Sequence, residues 1–444
     1  MTEPTPRVSD LPRTIGPWGL GATVINAIIG SSVFVFPAIV AAALGAAGIV
    51  AYVIAATAMG LIVLSLAESG TRVTATGGTY AYVEAAYGPF VAWMVGLLMY
   101  LGVQLVASAV VASVFVSSLS VLVPEVAGGL ARAGLLVAIY LVFTVVNVRG
   151  GARAGTKVVQ VVTIAKLAPL LLLVVIGLVA FEPGYVRWQV TPSLAELGRM
   201  AMRLIYLFAG TEAVLALSGE LRDPARTVPR GALGALAVAT FIYLGVQFAA
   251  QGLLGPDLAK HTQAPLADAA AAVLGSPGRT IILLGAVVST IGYLSADMLV
   301  SPRTLFAMGA AGRLPRVLAS VHPRFGSPAV AIALHAAFAC TLAVVADFNT
   351  LTALASSALL LIYFLCCTAT IVLQYRKVGE DIVSLRLPFG PVIPLAATAL
   401  VAGMMTTLTR REVLAVLLVV ALAGVTYLVS RRHDSNATTI STPQ

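Results

Sequence analysis

The chain has 444 residues, of which 59% are hydrophobic and only 10% charged, and its formal net charge is +9. Soluble proteins carry about 25% charged residues, so the composition excludes a soluble domain and indicates a protein that crosses a membrane several times. Three cysteines, Cys340, Cys366 and Cys367, fall inside apolar segments. This placement favours small buried side chains over disulfides or metal ligands.

Apolar stretches separated by polar breaks follow one another along the whole chain. Residues 1–14 hold no apolar core, so we predict a cytoplasmic segment and not a cleavable signal peptide. A short surface helix with a loop is expected at 256–276, and a disordered cytoplasmic tail at 431–444. Twelve spans are predicted, at about 17–43, 46–68, 89–120, 132–149, 156–180, 200–220, 231–254, 278–308, 328–346, 350–375, 389–409 and 412–430.

The first predicted span is interrupted near its middle by Gly30, Ser31 and Ser32. Glycine and serine loosen a helix, because glycine is flexible and serine hydrogen-bonds the backbone. Non-helical backbone at membrane depth is tolerated only inside protein or beside a water-filled cavity. This break therefore predicts a site for a polar ligand.

The sixth predicted span carries a second interruption, Phe-Ala-Gly-Thr-Glu at 208–212. It lies five spans after the first, and because five is odd the two spans run in opposite directions. Broken helices at corresponding places in two repeats indicate a transporter binding site; for a single break, glycine packing is the alternative. We predict an all-α integral membrane protein of about 12 helices, with a 5+5 inverted repeat. The predicted parts are a core at 15–375, repeats at about 15–180 and 200–375, and two further helices at 376–430.

The distribution of Lys and Arg along the chain predicts how the protein is oriented in the membrane. With the N-terminus inside, 18 of the 27 Lys and Arg residues fall on the inner side and 8 on the outer side, leaving Lys166 within a span. Because inner loops carry the excess of Lys and Arg, both termini are predicted to be cytoplasmic. The same pattern explains the basic net charge as a topology signal, so no nucleic-acid partner is expected.

Four motifs recur in a recognisable order. They are residues 28–34 (Ile-Ile-Gly-Ser-Ser-Val-Phe), 77–82 (Gly-Gly-Thr-Tyr-Ala-Tyr), 220–229 (Glu-Leu-Arg-Asp-Pro-Ala-Arg-Thr-Val-Pro) and 303–315, which ends in Gly-Arg-Leu-Pro. In order and spacing they resemble the amino acid–polyamine–organocation (APC) superfamily of permeases, over about residues 15–375. The resemblance implies a LeuT-like fold with broken helices 1 and 6. It also implies alternating access about a central site, and small amines, chiefly amino acids, as substrates.

The resemblance implies that helix 1 binds the substrate carboxylate. Free N–H groups at Gly30, Ser31 and Ser32 would meet it at the positive end of a helix dipole. Ser32 departs from the family's usual glycine, and its side chain would crowd the cavity and favour a small substrate. The alternative is that Ser32 hydrogen-bonds the helix backbone.

The substrate ammonium would be bound by carbonyl groups that the two breaks release. By resemblance these belong to Ile28 in helix 1 and to Phe208 and Ala209, beside Gly210, in helix 6. Tyr206 lies where a related arginine/agmatine antiporter has a gating tryptophan. Its aromatic face can attract a cation, or it is an ordinary packed aromatic residue.

Two ionisable residues inside predicted spans are candidates for coupling or gating, since charges in a membrane are functional candidates by default. Glu212 lies beside the second break and could exchange a proton, or it could tie the break to backbone N–H groups. Related proton-coupled permeases carry a lysine at the position of Lys166, where sodium-coupled relatives bind a cation. Lys166 could release a proton or be a fixed tether to helix 1. Either role makes the proton the expected coupling ion and argues against sodium; no cofactor or metal is expected.

Asp297 in the eighth span departs most from the family pattern. By resemblance it lies where the arginine/agmatine antiporter has a cavity tryptophan. A carboxylate there could neutralise a cationic substrate group, or it could pair with Lys166 or Arg303. His335 lies alone on an apolar helix and is expected to be a packed histidine.

The resulting prediction is a secondary active transporter of amino acids, by proton-coupled symport or exchange, and not an enzyme. A polyamine or organic amine permease is the alternative. A membrane-embedded enzyme is disfavoured because the four histidines are scattered, and ATP-driven transport because no phosphate-binding loop is present. The Ala- and Arg-rich usage predicts a bacterial plasma membrane. The expected partners are a small amino acid or amine and the lipid bilayer, with no obligate protein partner.

Overall fold

A computed structural model describes residues 17–73, 78–150, 156–189, 191–211, 224–380, 385–387 and 389–439. Over these ranges the regular secondary structure is helical throughout, and no strand occurs. The helices are labelled α1 to α15 in chain order.

The first predicted span consists of two helices joined by a tight turn. Helix α1 covers Pro17–Ile28, a 3₁₀ turn covers Ser31–Phe34, and α2 covers Phe36–Leu44. Helix α3, Gly48–Arg72, is the second span. The predicted interruption at Gly30 to Ser32 is therefore an actual gap between helices.

The third span contains a local widening of the helix. It begins with α5 (Pro89–Leu97), passes through a π-helical stretch at Leu98–Gln104 and continues as α6 (Leu105–Leu122). A short helix, α4, precedes it at Thr79–Tyr87. The fourth and fifth spans are α7, Gly129–Gly150, and α8, Thr156–Ala180.

Helix α9, Leu194–Phe208, starts six residues earlier than the span predicted at 200. Ser193 and Glu196 explain this, because they form a reciprocal capping box that satisfies free N–H groups at the helix start. Helix α10 follows at Pro224–Leu254. Helix α11, Pro265–Ala310, is divided near its start by Gly275 at a φ of 65°, so a short helix precedes the long span, as predicted for 256–276.

The remaining helices are α12 (Ala329–Val345), α13 (Phe348–Tyr375), α14 (Val392–Met405) and α15 (Arg410–Thr439). The extent of α15 corrects one prediction. Residues 431–439 were expected to be disordered, but they continue the helix. Adding a residue to an existing helix requires no new nucleus.

Seven of the described helical stretches are long and apolar enough to cross a membrane. Three further apolar helices are shorter, at Ala165–Ala180, Ala329–Val345 and Val392–Met405. Helices α1 and α9 are short because each ends at a break. The protein is thus an all-helical, multi-pass membrane protein over the part of the chain that the structure describes.

Close helix packing surrounds the two breaks. Helix α10 packs against α1, α3 and α8, while α11 packs against α6 and α8. Small residues allow this approach: a Cβ on Gly177 would lie 2.2 Å from Ala249, and one on Gly285 would lie 2.4 Å from Pro169. Membrane helices associate largely through such close contacts, and here they hold α8 against α10 and α11, while α10 packs against α1.

Candidate functional site

The break in the first span is a short extended segment followed by a helical turn. After α1 ends at Ile28, Gly30 adopts φ −90° and ψ −166°, and its N–H donates to the Ile28 carbonyl at 2.8 Å. The 3₁₀ turn Ser31–Phe34 then leads into α2, and all four of its residues are buried. The predicted binding residues Ile28, Gly30, Ser31 and Ser32 therefore share one interrupted backbone segment.

The C-terminal end of α9 lies directly against the break in the first span. Gly210 has a φ of 108°, a conformation that residues with a Cβ rarely adopt. It also lies close to α1, because a Cβ at this position would be 3.0 Å from the Ala27 carbonyl oxygen. The Ala209 N–H donates to the Tyr206 carbonyl at 3.3 Å. The structure thus brings Tyr206, Phe208, Ala209 and Gly210 beside α1. Glu212 lies outside the described residues.

Tyr243 of α10 joins the two breaks. Its hydroxyl lies 2.9 Å from the carbonyl oxygen of Ile28 and 2.9 Å from that of Leu207. Its ring packs edge-on against Phe208, with centroids 5.3 Å apart. A hydroxyl has one proton to donate, so it serves only one of these carbonyls fully at any instant. Tyr243 therefore brings together acceptor groups from both interrupted helices.

Ser31, Ser32 and Tyr206 form the polar lining of the break. The Ser31 side chain is fully buried, and its Oγ has no hydrogen-bond partner among the described residues. The Tyr206 hydroxyl faces the Ser32 side chain. A buried hydroxyl without a partner costs free energy, so Ser31 is suited to donate to a ligand.

Lys166 of α8 is attached to the first broken span. Its Nζ donates to the backbone carbonyl of Asn26 at 2.8 Å, and the residue is only 5% exposed. The ammonium therefore lies near the end of α1, at the position expected from the sequence. This contact has the geometry of a tether. It also places the Lys166 ammonium at Asn26, two positions before Ile28 in the chain.

Asp297 of α11 is held by neighbours that were not expected. Ser301 donates to its Oδ1 at 2.6 Å, and His335 Nε2 of α12 lies 3.2 Å from its Oδ2. The expected alternatives, pairing with Lys166 or with Arg303, are wrong. Lys166 donates to Asn26, and Arg303 donates to the Leu299 carbonyl of its own helix.

His335 is buried as expected, but it is hydrogen-bonded on both sides. Its Nδ1 lies 3.1 Å from the hydroxyl of Tyr100, which belongs to the π-helical stretch. Ser301, Asp297, His335 and Tyr100 thus form one chain of hydrogen bonds, referred to below as the Asp297 network.

Two members of the site, Tyr243 and Tyr100, were missed by sequence reasoning. Tyr243 and Gln247 are polar residues one turn apart in an apolar helix, and that signal was present. Gln247 lies 3.2 Å from the Tyr52 hydroxyl and 3.5 Å from the Pro37 carbonyl oxygen. Tyr100 carried no comparable signal, because its reach to His335 depends on how the helices pack.

A cavity of about 390 Å³ lies on the α2 side of the break. Its lining includes Val35 and Ala38 of the first broken span, Arg203 of α9, and Phe348 and Asn349 of α13. Arg203 Nη2 donates to the Asn349 side chain at 3.0 Å, so one cation lies on the approach to the break. Among the described residues, no group of three or more His, Cys, Asp or Glu could hold a metal ion.

Comparison with known proteins covers almost the whole chain. A family model described as amino acid permease matches residues 15–440. A serine/threonine exchanger of Bacillus subtilis is 29% identical over 416 residues, covering 90% of this chain and 92% of the exchanger. A methylthioribose transporter of the same organism is 27% identical over 443 residues, covering 96% and 95%. A branched-chain amino acid permease of Lactococcus lactis is 26% identical over 399 residues, covering 83% and 84%.

Proposed function

The chain belongs to the amino acid permease family, and we propose that it carries amino acids across the plasma membrane by alternating access. We further propose a LeuT-like arrangement of 12 helices, in which helices 1–5 and 6–10 form an inverted repeat. Both termini would be cytoplasmic, in agreement with the excess of Lys and Arg on that side.

One observation carries this proposal: the C-terminal end of α9 meets the break in the first span. The Ile28 and Leu207 carbonyls lie within 2.9 Å of one tyrosine hydroxyl, and Gly210 lies against Ala27. Backbone at such a junction offers N–H groups and carbonyls to a polar ligand in a transporter. These are the groups that an amino acid's carboxylate and ammonium require.

The polar lining supports a small neutral amino acid. The Ser31 hydroxyl is available to the carboxylate, and Ser32 narrows the space beside it. Both carboxylate oxygens of Asp297 already accept hydrogen bonds from Ser301 and His335. Asp297 thus takes hydrogen bonds from the protein itself, and a polyamine permease is the second candidate function. The serine/threonine exchanger among the relatives agrees with a small neutral substrate.

Coupling is proposed to use protons or exchange, without sodium. The Lys166 ammonium donates to the Asn26 carbonyl, and a fixed cation there would repel a sodium ion bound to the same segment. The cavity containing Arg203 would be the approach from outside, where a positive charge attracts the carboxylate of an incoming substrate.

The test is uptake into proteoliposomes that contain the purified protein. Labelled amino acids, polyamines and methylthioribose would be offered with an inward proton gradient, with sodium, or with internal unlabelled substrate. Saturable uptake of small neutral amino acids supports the proposal. Uptake of polyamines or methylthioribose alone would contradict it. Proton-driven uptake would indicate symport, whereas uptake that requires internal substrate would indicate exchange.

A further inference from the structure

The Asp297 network joins three helices inside the membrane region. Asp297 belongs to α11, His335 to α12, and Tyr100 to the π-helical stretch between α5 and α6. Tyr100 and His335 are fully buried, and Asp297 is 8% exposed. The network therefore consists of a carboxyl group and an imidazole that are shielded from water except at one edge of Asp297.

We propose that Asp297 and His335 together bind one exchangeable proton beside the broken helices. This inference rests on the proposed transport function and adds to it a proton site distinct from Lys166. The proton comes from water and returns to water, and no other bond forms or breaks.

The charge of the pair is the first step of the argument. When the imidazole is neutral, Tyr100 donates to Nδ1, the Nε2–H donates to Asp297, and Ser301 donates to the other carboxylate oxygen. Every hydrogen bond is then satisfied, but the pair carries a net charge of −1. An unbalanced charge inside a low-dielectric region is costly, and one added proton makes the pair neutral. Tyr100 can then accept from Nδ1–H, since a hydroxyl both donates and accepts.

Among the described residues, no lysine or arginine lies in ion-pair contact with Asp297. His335 contacts Asp297 directly, and the Tyr100 hydroxyl contacts His335. The hydroxyls of Tyr140 and Tyr206 are close enough to interact with Asp297 electrostatically. Lys166 of α8, which also packs against α11, donates to α1. On α11 itself, Arg303 donates to a backbone carbonyl. Among the described residues, only the imidazole forms an ion pair with Asp297.

The position of the pair connects its charge to the substrate site. Helix α11 packs against the 3₁₀ turn Ser31–Phe34, and Tyr206, whose hydroxyl faces Ser32, is close enough to Asp297 to interact with it electrostatically. A proton gained or lost by the pair therefore changes the charge next to the predicted binding groups. In addition, π-helical turns occur frequently at functional sites, whereas a buried ion pair is weak evidence of a stabilising role.

The experiment measures proton uptake directly. Infrared difference spectra of the purified protein would be recorded between alkaline and acidic buffers for the wild type, Asp297→Asn and His335→Gln. We expect loss of one titrating carboxyl band in Asp297→Asn, and a shifted titration midpoint in His335→Gln. Spectra of Asp297→Asn that superimpose on those of the wild type would overturn the proposal. This measurement needs no substrate, so its result does not depend on whether the protein transports amino acids.

A second Asp–His pair, which joins Asp268 of α11 to His261 just before that helix, provides a matched control. Asp268 lies 2.8 Å from His261 and 3.0 Å from Arg279, near the start of α11, and its side chain is 20% exposed. Asp268→Asn removes an aspartate from a similar pair outside the buried network. If the protein binds substrate, the pH dependence of that binding should be lost in Asp297→Asn and kept in Asp268→Asn. Equal pH dependence in both variants would contradict a proton site at Asp297.

Discussion

The hydroxyl of Tyr243 lies 2.9 Å from the carbonyl oxygen of Ile28, the last residue of the helix before the first break. The same hydroxyl is 2.9 Å from the Leu207 carbonyl oxygen at the second break. One side chain of α10 therefore links the end of α1 to the end of α9 through two backbone carbonyls.

Replacing this tyrosine tests the link. Tyr243→Phe removes the hydroxyl that both carbonyls contact, and losing a buried hydrogen bond costs about 1–3 kcal/mol. We expect the apparent affinity for substrate to fall roughly 5- to 150-fold, measured as the concentration dependence of uptake in proteoliposomes. Tyr52→Phe is the control, since it removes another buried hydroxyl that contacts α10, bonded to Gln247 at 3.2 Å. Similar losses in both variants would show that Tyr243 has no special role at the breaks.

Ser31 is predicted to donate to the substrate carboxylate. Hydrogen bonds to charged groups contribute about 1.5–3 kcal/mol, so Ser31→Ala should raise the apparent KM by roughly tenfold or more. Ser65→Ala is a suitable control, because Ser65 is equally buried but donates within its own helix. An unchanged KM for Ser31→Ala would exclude the hydroxyl from binding.

Ser32 is predicted to limit the size of the substrate. Ser32→Gly restores the residue usual in the APC family and removes a side chain from the lining. We expect transport of larger neutral amino acids to increase relative to small ones, measured by competition with a labelled small amino acid. If Ser32→Gly shows the same order of substrate preference as the wild type, the Ser32 side chain does not limit the size of the substrate.

Two variants distinguish whether Lys166 couples transport to protons or only tethers α8 to α1. Lys166→Gln keeps a donor for the Asn26 carbonyl but removes the titratable ammonium, whereas Lys166→Met removes both. If Lys166 couples transport to protons, the Gln variant should keep exchange and lose accumulation driven by a proton gradient. If Lys166 is only a tether, the Gln variant should keep both exchange and proton-driven accumulation, and the Met variant should be impaired in both. The two assays would be run on the same proteoliposomes.

Glu68 is predicted to stabilise the packing of α3 against α13. It is 1% exposed, accepts from Arg72 Nε at 2.9 Å, and accepts from Gln374 of α13 at 2.8 Å. Removing one partner of a buried ion pair costs about 3–5 kcal/mol, so Glu68→Ala should lower the thermal unfolding temperature in detergent strongly. Glu380→Ala provides the contrast, because the Lys377–Glu380 pair is exposed and such pairs contribute about 0–1 kcal/mol. Equal unfolding temperatures for Glu68→Ala and Glu380→Ala would contradict a stabilising role of Glu68.

Features that depend on consecutive residues could be predicted from the sequence. The apolar spans could be recognised because a helix in lipid needs about 20 apolar residues. The breaks at Gly30 and Gly210 could be recognised because glycine and serine disturb the helix locally. The start of α9 was placed too late, since the capping box at Ser193 and Glu196 was overlooked, and the end of α15 was placed too early.

Contacts between distant residues could not be predicted in the same way. Asp297 and His335 are 38 positions apart, Tyr243 and Ile28 are 215 apart, and Glu68 and Gln374 are 306 apart. Which partner each group reaches depends on the rotation and crossing of helices, and close packing at Gly177, Gly210 and Gly285 determines these. The sequence by itself determined that this chain is a broken-helix membrane transporter. Only the tertiary structure decided that Asp297 pairs with His335 and that one tyrosine joins the two breaks.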